Sequence, residues 1–293
     1  MTAAHPTAPP RRPTSPAMRI LRMLAVGYLL WCLVLSLLER RLVYLPDLAG
    51  PPTPDARIDA DPRIERLWLA HPDGTRTESW LVRAPAPARG LACFLHGNGE
   101  LIDGTLHEAR MWNTRGFDAL LVEYRGYGRS GGTPSQRAIV PDTLRMAELA
   151  LGRTGHASFI LHGRSLGTGV AAQVAALAPA RTAALVLESP FTSIAGFAWR
   201  YGIPPFLVSN SYRTDAVLPA LDAPVLILNA RDDEIIPFDH GVRLAKLARN
   251  ARHVALEGTH NSGLSLDPAY WNAIDTLLEE IAPATSPARR VAE

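Results

Sequence analysis

The sequence contains almost no cysteine or lysine. Its two cysteines are Cys32, in an apolar N-terminal stretch, and Cys93, in a predicted core strand, so we expect no disulfide between them. Cysteine and histidine nowhere show the spacing of a metal site, and we expect neither a metal nor an organic cofactor. Lys246 is the only lysine, and the net charge of +2 is too small to indicate nucleic acid as a partner. These scarcities argue against a disulfide-rich scaffold and against a nucleic-acid-binding protein.

The length and the apolar content suit one large folded domain. The chain has 293 residues, of which 47% are hydrophobic, and no linker or internal repeat divides it. Residues 1–17 are rich in proline, alanine and threonine and are predicted to be disordered, as is the short polar tail over 283–293. The folded domain is expected over 41–282.

An apolar stretch over residues 18–38 is predicted to form a transmembrane helix. Its uninterrupted part, Met23–Leu38, spans about 24 Å, which is short of the ~30 Å hydrocarbon core. Ile20 and Leu21 extend the span if Arg22 places its charge among the lipid headgroups.

Three other interpretations of this stretch are less consistent with the residues. A cleaved signal peptide needs small residues near the cut, but 39–41 reads ERR. A lipoprotein anchor at Cys32 needs a small residue before the cysteine, where Trp31 stands. A core helix that is apolar on every face is unusual at a chain terminus. The stretch therefore predicts an uncleaved signal anchor.

Arginine predicts the orientation of that anchor. Four arginines precede the uninterrupted apolar part, Met23–Leu38, and two follow it beside Glu39. They are Arg11, Arg12, Arg19 and Arg22 before it and Arg40 and Arg41 after it. The more positive flank stays in the cytoplasm. The N-terminus is therefore expected in the cytoplasm and the folded domain on the outer side of the membrane.

Apolar runs alternate with helix-like segments from about residue 64 onward. Segments 66–71 and 79–82 flank Asp73-Gly74 and predict an antiparallel hairpin. Further strands are predicted at 90–95, 118–124, 159–161, 184–188, 225–229 and 253–256, and helices at 103–115, from Pro141 to about 149, 238–249 and 268–282. This alternation predicts an α/β fold, a mostly parallel sheet with helices on both faces, preceded by one transmembrane helix.

Ser165 has the surroundings of a nucleophilic serine. It is the serine of a Gly-x-Ser-x-Gly motif in the segment FILHGRSLGTG at 159–169, between an apolar strand and an alanine-rich helix. In such a nucleophile elbow the serine lies on a tight strand-to-helix turn with its oxygen exposed. Side chains two positions before and after it would collide, so both positions favour glycine, here Gly163 and Gly167. An ordinary structural turn is the alternative.

A serine nucleophile needs a base to take its proton and an acid to orient that base. His260 follows the last predicted strand, at the carboxyl edge of the sheet, and is the expected base. His253, inside a strand, and His240, near a helix start, are interpreted as structural. Three acids end strands at the same edge, and the pattern leaves open which one acts: Asp232, Asp233 or Glu188.

Two backbone amides are expected to stabilise the oxyanion. One belongs to Leu166, directly after the serine, and the other to Asn98 in the loop HGNG at 96–99. The segment 126–131 fits Gly-x-Gly-x-x-Gly, but the loop continues through 132–135 where a dinucleotide site needs a helix. We therefore expect no nucleotide cofactor.

The motifs together resemble those of the α/β-hydrolase superfamily. The resemblance is to its membrane-anchored serine hydrolases with a small lid, the lysophospholipase- and aminopeptidase-like α/β-hydrolase domain proteins, and runs from about Arg41 to Ile281. The matching segments are LVYLP at 42–46, HGNG at 96–99, YRGYGRSGG at 124–132, GRSLG at 163–167, ESPFTS at 188–193 and DEIIP at 233–237. In this group the acid lies four residues before the final proline, which implies Asp233.

The resemblance implies a serine hydrolase with the triad Ser165, His260 and Asp233 that cleaves a carboxylic ester or thioester of a small-molecule acyl substrate, with a lipid-like substrate as one option. Residues 190–223, which we call the lid segment, correspond to the lid of such enzymes, and several aromatic residues in it are expected to line an apolar acyl pocket. Hydrolysis of an amide or peptide is the enzymatic alternative. A membrane-tethered binding protein without catalysis is the non-enzymatic alternative.

Overall fold

The computed structural model describes residues 15–85 and 87–282. Within them one sheet contains eight strands, which are β1 Ile64–Ala70, β2 Arg76–Val82, β3 Gly90–Leu95, β4 Phe117–Val122, β5 Phe159–Arg164, β6 Thr182–Glu188, β7 Val225–Ala230 and β8 Ala251–Leu256. The described helices are α1 Pro16–Val43, α2 Asp55–Asp59, α3 Leu106–Thr114, α4 Gln136–Thr154, α5 Leu166–Leu177, α6 Ile194–Trp199, α7 Thr214–Val217, α8 Asp239–Leu247 and α9 Pro268–Ile281. Of the segment predicted to be disordered over 1–17, residues 1–14 lie outside the described residues, as does the predicted tail over 283–293. Its last two residues, Pro16 and Ala17, are instead the first residues of α1.

The sheet has the order β1-β2-β4-β3-β5-β6-β7-β8. Strand β2 pairs antiparallel with both β1 and β4, and all other pairs are parallel. The predicted hairpin and the predicted mostly parallel sheet are both confirmed. All strands from β3 onward therefore end at one edge, where the loops that follow them come together.

Apolar residues fill both faces of the sheet. Along β3, Leu91, Cys93 and Leu95 belong to one buried cluster, and Ala92 and Phe94 belong to the other. Helices α4 and α5 contribute to the first cluster, and α3 and α9 contribute to the second. Covering on both faces explains why these strands are continuously apolar rather than alternating. The cysteines of the chain, Cys32 and Cys93, are both free and buried.

Helix α4 begins five residues before the predicted start at Pro141. The side chain of Ser135 accepts a hydrogen bond from the Ala138 amide at 3.3 Å and caps the helix there. Proline is then inside the helix, where it removes one hydrogen bond near the first turn. The prediction that α4 begins at Pro141 was wrong. The Ser135 side chain already accepts a hydrogen bond from a free backbone amide at an earlier helix start.

Helix α1 is longer than the predicted segment 18–38. It begins at Pro16, where Ser15 caps the Met18 amide at 3.3 Å, and its 28 residues reach about 42 Å. Its length and composition are sufficient to cross a membrane, and 6% of its most apolar window is buried in the structure. A core helix would be mostly buried, so the structure does not support that alternative. The lid segment lies between β6 and β7 and contains α6 and α7.

Candidate active site

Ser165 lies at the turn between β5 and α5 with a backbone that side chains rarely adopt. Its φ is 50° and its ψ is −115°. A Cβ on Gly163 would lie 2.3 Å from the Gly167 carbonyl oxygen, and one on Gly167 would lie 2.0 Å from the carbonyl oxygen of Leu95. Both contacts are with backbone, which cannot move aside. The turn therefore has the geometry that the glycine spacing predicts.

Replacing Gly167 with alanine is expected to lower the free energy of unfolding by about 3 kcal/mol or more, because the added methyl group would overlap the backbone of β3. Gly152 offers a matched control on α4, where a Cβ would meet nothing within 4 Å. Gly152→Ala is expected to stabilise the protein by about 0.5 kcal/mol, because alanine restricts the unfolded chain. Urea unfolding of both variants in detergent measures the difference. Similar unfolding free energies for the two variants would show that the elbow tolerates a side chain.

The three side chains predicted to form a triad lie in one hydrogen-bonded chain. His260 Nε2 lies 3.1 Å from Ser165 Oγ. His260 Nδ1 lies 2.9 Å from Oδ1 and 2.8 Å from Oδ2 of Asp233. Residues 95 and 27 positions apart in the sequence thus meet at the carboxyl edge of the sheet. A carboxylate on Nδ1 leaves Nε2 to accept the serine proton.

Asp233 is held in place by the backbone as well as by histidine. Its Oδ1 accepts hydrogen bonds from the amides of Ile235 at 3.1 Å and Ile236 at 2.7 Å. Burial alone would raise the pKa of this carboxyl group, but the hydrogen bonds from His260 and the Ile236 amide outweigh it and lower the pKa. Asp233 is therefore a carboxylate at neutral pH with a fixed orientation.

The other candidates from the sequence are directed elsewhere. Asp232 is exposed, and Glu188 pairs with Arg164 at 3.0 Å. His253 lies 3.1 Å from the side-chain oxygen of Asn229 on β7. His240 stacks on a phenylalanine of the lid segment, with 5.0 Å between ring centroids.

The loop that carries Asn98 lies against Ser165. A Cβ on Gly97 would lie 3.5 Å from the Ser165 Cβ. The Asn98 side-chain oxygen accepts hydrogen bonds from the Leu45 amide at 2.7 Å and from the Tyr127 hydroxyl at 2.8 Å. The chain that leaves α1 thus fixes the loop from which one oxyanion amide is expected.

The second expected oxyanion amide is at the start of a helix. Leu166 is the first residue of α5, so its N–H has no acceptor inside the helix. The N-terminal end of a helix also carries a partial positive charge, which favours an anion. The structure therefore places Asn98 and Leu166 on the two segments that border the serine.

Arg164 is a site residue that the sequence did not reveal. It forms ion pairs with Glu188 at 3.0 Å, Glu100 at 3.3 Å and Glu108. Burial would lower the pKa of its guanidinium, but these carboxylates raise the pKa well above its usual range, so the group stays charged. Glu100 in turn accepts a hydrogen bond from the Gly97 amide at 2.7 Å. Arg164 therefore links the serine turn, through Glu100, to the loop that carries Asn98. The variable positions of Gly-x-Ser-x-Gly carry no signal for this link.

His162, three residues before the serine, is fully buried as a neutral ring. Its Nδ1 accepts a hydrogen bond from Trp112 Nε1 at 3.1 Å, and its Nε2 lies 2.6 Å from the Tyr270 hydroxyl. That hydroxyl donates to Glu188 at 2.7 Å, so Nε2 donates to it. Burial, aided by the positive charge of Arg164, places the pKa of His162 well below its usual value.

The buried, neutral His162 is expected to make the free energy of unfolding fall as the pH falls below about 6.5. Its contribution is up to about 1.4 kcal/mol per pH unit. The unfolded chain binds a proton on His162 in that range, whereas the folded chain does not, so acid favours unfolding. Urea unfolding between pH 7 and 5 measures the slope. His162→Gln is expected to reduce it, and His107→Gln, at an exposed position, to leave it unchanged. An unaltered slope in His162→Gln would contradict this account.

Comparison with known proteins agrees with the geometry. Residues 86–209 match the family described as serine aminopeptidase, S33. The chain is 32% identical over 276 residues to the α/β-hydrolase domain-containing protein WAV2 of Arabidopsis thaliana, covering 84% of this chain and 89% of that protein. It is 30% identical over 223 residues to the lysophosphatidylserine lipase ABHD12 of Mus musculus, covering 69% of this chain but 56% of that protein. The chain thus spans little more than half the length of the lipase.

Solved structures show the same fold at low identity. Est1E from Butyrivibrio proteoclasticus superposes with a TM-score of 0.64 and 20% identity, over 73% of this chain and 99% of that chain. An esterase of Pyrococcus furiosus superposes with a TM-score of 0.60 and 15% identity, over 79% of this chain and 94% of that chain. The sheet, the sequence match to WAV2 and these superpositions lead to one conclusion: the chain belongs to the α/β-hydrolase family, the fold family of serine esterases and related hydrolases.

Proposed function

We propose that this protein is a membrane-anchored serine hydrolase that cleaves the carboxylic ester of an acyl lipid through an acyl-enzyme. The observation that carries the proposal is the hydrogen-bonded chain from Ser165 through His260 to Asp233 at the carboxyl edge of the sheet. A thioester reacts by the same steps, because the same carbonyl carbon is attacked.

Acylation begins with the Ser165 hydroxyl. Its oxygen attacks the substrate carbonyl carbon while its proton moves to His260 Nε2, 3.1 Å away. Asp233 stabilises the imidazolium that forms, and the amides of Asn98 and Leu166 stabilise the oxyanion. Collapse of the tetrahedral intermediate breaks the ester bond, and the leaving alcohol takes the proton from Nε2.

Deacylation repeats these steps with water. His260 Nε2 takes a proton from a water molecule, whose oxygen attacks the acyl carbonyl on Ser165. The second tetrahedral intermediate releases the carboxylic acid and returns the proton to Ser165. Besides the substrate and water, these steps use Ser165, His260, Asp233 and the two backbone amides.

Two features support a lipid as the acyl substrate. A relative covering 69% of the chain is named as a lysophosphatidylserine lipase. The lid segment exposes large apolar side chains next to α1, with Trp199 63%, Tyr201 68% and Phe206 84% exposed. Apolar residues grouped in this way are typical of a surface that contacts lipid or an apolar ligand.

The orientation of the anchor is part of the proposal. We infer that the N-terminus faces the cytoplasm and the catalytic domain the outer side, because four arginines precede the apolar part of the chain, Met23–Leu38, and only two follow it beside Glu39. A reporter fused to the C-terminus that is active only when exported is expected to be active. A C-terminal fusion that works only with a cytoplasmic reporter would reverse the orientation.

The test of the proposed function uses the full chain in detergent micelles. A fluorophosphonate probe is expected to label the wild type and Ser158→Ala but not Ser165→Ala. Ser158 is a suitable control because it is a partly exposed serine in the loop before β5. The same samples are assayed with a monoacyl phospholipid and with an aminoacyl p-nitroanilide.

Release of fatty acid by wild type and Ser158→Ala, but not by Ser165→Ala, supports the proposal. Faster cleavage of the anilide than of the phospholipid would instead favour the aminopeptidase that the matched family is named for. Wild type that neither reacts with the probe nor hydrolyses either substrate would favour a binding protein.

A further inference from the structure

The lid segment packs along α1, the helix that is expected to span the membrane. The Tyr28 hydroxyl donates a hydrogen bond to the Gly202 carbonyl at 2.8 Å, and Trp31 Nε1 donates to the Tyr201 carbonyl at 3.2 Å. Tyr28 and Trp31 both belong to the apolar part of α1, Met23–Leu38. When α1 spans a bilayer, this part of the lid segment therefore lies at the depth of the acyl chains.

A polar contact marks the other end of the shared surface. The Glu39 carboxylate accepts hydrogen bonds from the amides of Ser209 at 3.1 Å and Asn210 at 2.7 Å. From Tyr28 to Glu39 the helix rises about 16 Å. The lid segment thus follows α1 for several turns, from the apolar part to the first charged residue beyond it.

An apolar cavity of about 510 Å³ separates the two elements. Its walls include Trp31, Leu35 and Leu42 of α1 and Phe197, Ile203 and Leu207 of the lid segment. The only charged residue in the lining is Glu39, whose carboxylate is already occupied by backbone amides. A cavity of this size and composition suits an apolar ligand without charge.

Two aromatic side chains lie between the cavity and the helix that begins after Ser165. Phe197 packs against Phe191, with 6.4 Å between ring centroids. Phe191 in turn packs against α5, because a Cβ built on Gly169 of that helix would be 2.8 Å from the Phe191 ring. Gly169 is about one helical turn after Ser165. A pair of aromatic rings therefore separates the cavity from the helix that begins at the nucleophile.

We propose that this cavity binds one acyl chain of a lipid taken directly from the bilayer, so that the membrane helix forms one wall of the substrate site. The proposal rests on the proposed function and adds where the chain of the substrate lies. At the depth of Trp31 the acyl chains of the bilayer surround α1. The walls of the cavity are apolar, as those chains are. In this arrangement α1 selects the substrate in addition to holding the enzyme at the membrane.

The test narrows the cavity in the full chain reconstituted in phospholipid nanodiscs. Leu35→Trp adds bulk to a wall residue, and Leu33→Trp makes the same change at an exposed position of α1 outside the cavity lining. Ala198→Phe narrows the cavity from the lid segment and guards against an effect of Leu35→Trp on helix insertion. Each is assayed with a p-nitrophenyl palmitate and a p-nitrophenyl butyrate.

Leu35→Trp and Ala198→Phe are expected to lower kcat/KM for the palmitate about tenfold, the effect of excluding roughly two methylene groups, and to leave the butyrate within about twofold. Leu33→Trp is expected to resemble the wild type with both esters. Equal losses on both esters, no loss on either, or the same selectivity in Leu33→Trp would overturn the proposal.

A binding measurement separates this proposal from the proposed function. Ser165→Ala in nanodiscs is irradiated with a monoacyl phospholipid that carries a diazirine on its chain, and crosslinks are mapped by mass spectrometry. Crosslinks at Ile203 and Leu207 that unlabelled lipid competes away, and that the added Leu35→Trp change removes, support the cavity even if the wild type hydrolyses neither ester. Crosslinks unaffected by Leu35→Trp would refute it.

Discussion

Replacing either Ser165 or His260 with alanine is expected to lower kcat by about 10⁶-fold, because nucleophile and base act as one unit in proton transfer. The two side chains share the 3.1 Å contact through which the hydroxyl proton leaves. Without either side chain the proton transfer between Ser165 and His260 cannot occur. The double variant is therefore expected to be no slower than either single variant. Fatty acid release from a monoacyl phospholipid by the full chain measures all three rates.

A second histidine provides the control for this prediction. His253 lies on β8, the strand that leads to the loop of His260, and contacts the side chain of Asn229. His253→Ala is expected to keep kcat within a few-fold of the wild type. Effects of the single changes that multiply in the double variant would mean that Ser165 and His260 act independently, contrary to the mechanism.

Replacing Asp233 with asparagine is expected to lower kcat by about 10⁴-fold, because an amide stabilises the wrong tautomer of His260 and provides no charge opposite the imidazolium. The lowered pKa of Asp233 means that the wild-type group is charged across the neutral range. Asparagine occupies the same volume, so the backbone contacts to Ile235 and Ile236 can survive the change. The fall in kcat then reports on charge and tautomer rather than on unfolding.

Asp232 is the matched control, since it is the same residue type one position earlier. It is exposed, and its amide donates to the Gly258 carbonyl at 3.1 Å, a contact that Asp232→Asn leaves in place. This variant is expected to keep kcat within about twofold, as for most surface substitutions. Steady-state kinetics of both variants decide the assignment, and comparable losses in the two would remove Asp233 from its proposed role.

Some features of the site followed directly from local sequence. Gly163 and Gly167 predict the sharp turn because any Cβ there would overlap backbone, and the structure shows those overlaps at 2.3 and 2.0 Å. Continuous apolar runs predicted the buried parallel strands, because both of their faces are covered. The choice among the three acids did not follow from local sequence and depended on family resemblance. Adjacent aspartates have the same local signals, and only packing determines which one faces histidine.

Other features had no local signal. Helix α4 begins at Gln136 because the Ser135 side chain caps it, and Pro141, which suggested a later start, is tolerated inside the helix. Arg164 occupies a position that the nucleophile motif leaves free, and its three carboxylate partners come from distant segments. Glu188 ends a strand as a catalytic acid would, but its carboxylate forms an ion pair with the half-buried Arg164.

The sequence by itself determined the α/β fold, the serine turn and a helix long enough to span a membrane, because each is read from local patterns: successive apolar runs, the glycines around Ser165 and the hydropathy of residues 18–38. Tertiary structure alone decided that Ser165, His260 and Asp233 lie within hydrogen-bonding distance and that the lid segment lies along α1. These contacts join residues 95, 27 and 174 positions apart. Whether residues so far apart in the chain meet in space depends on the order of the strands in the sheet and on how the helices pack against it. No local pattern of residues encodes either.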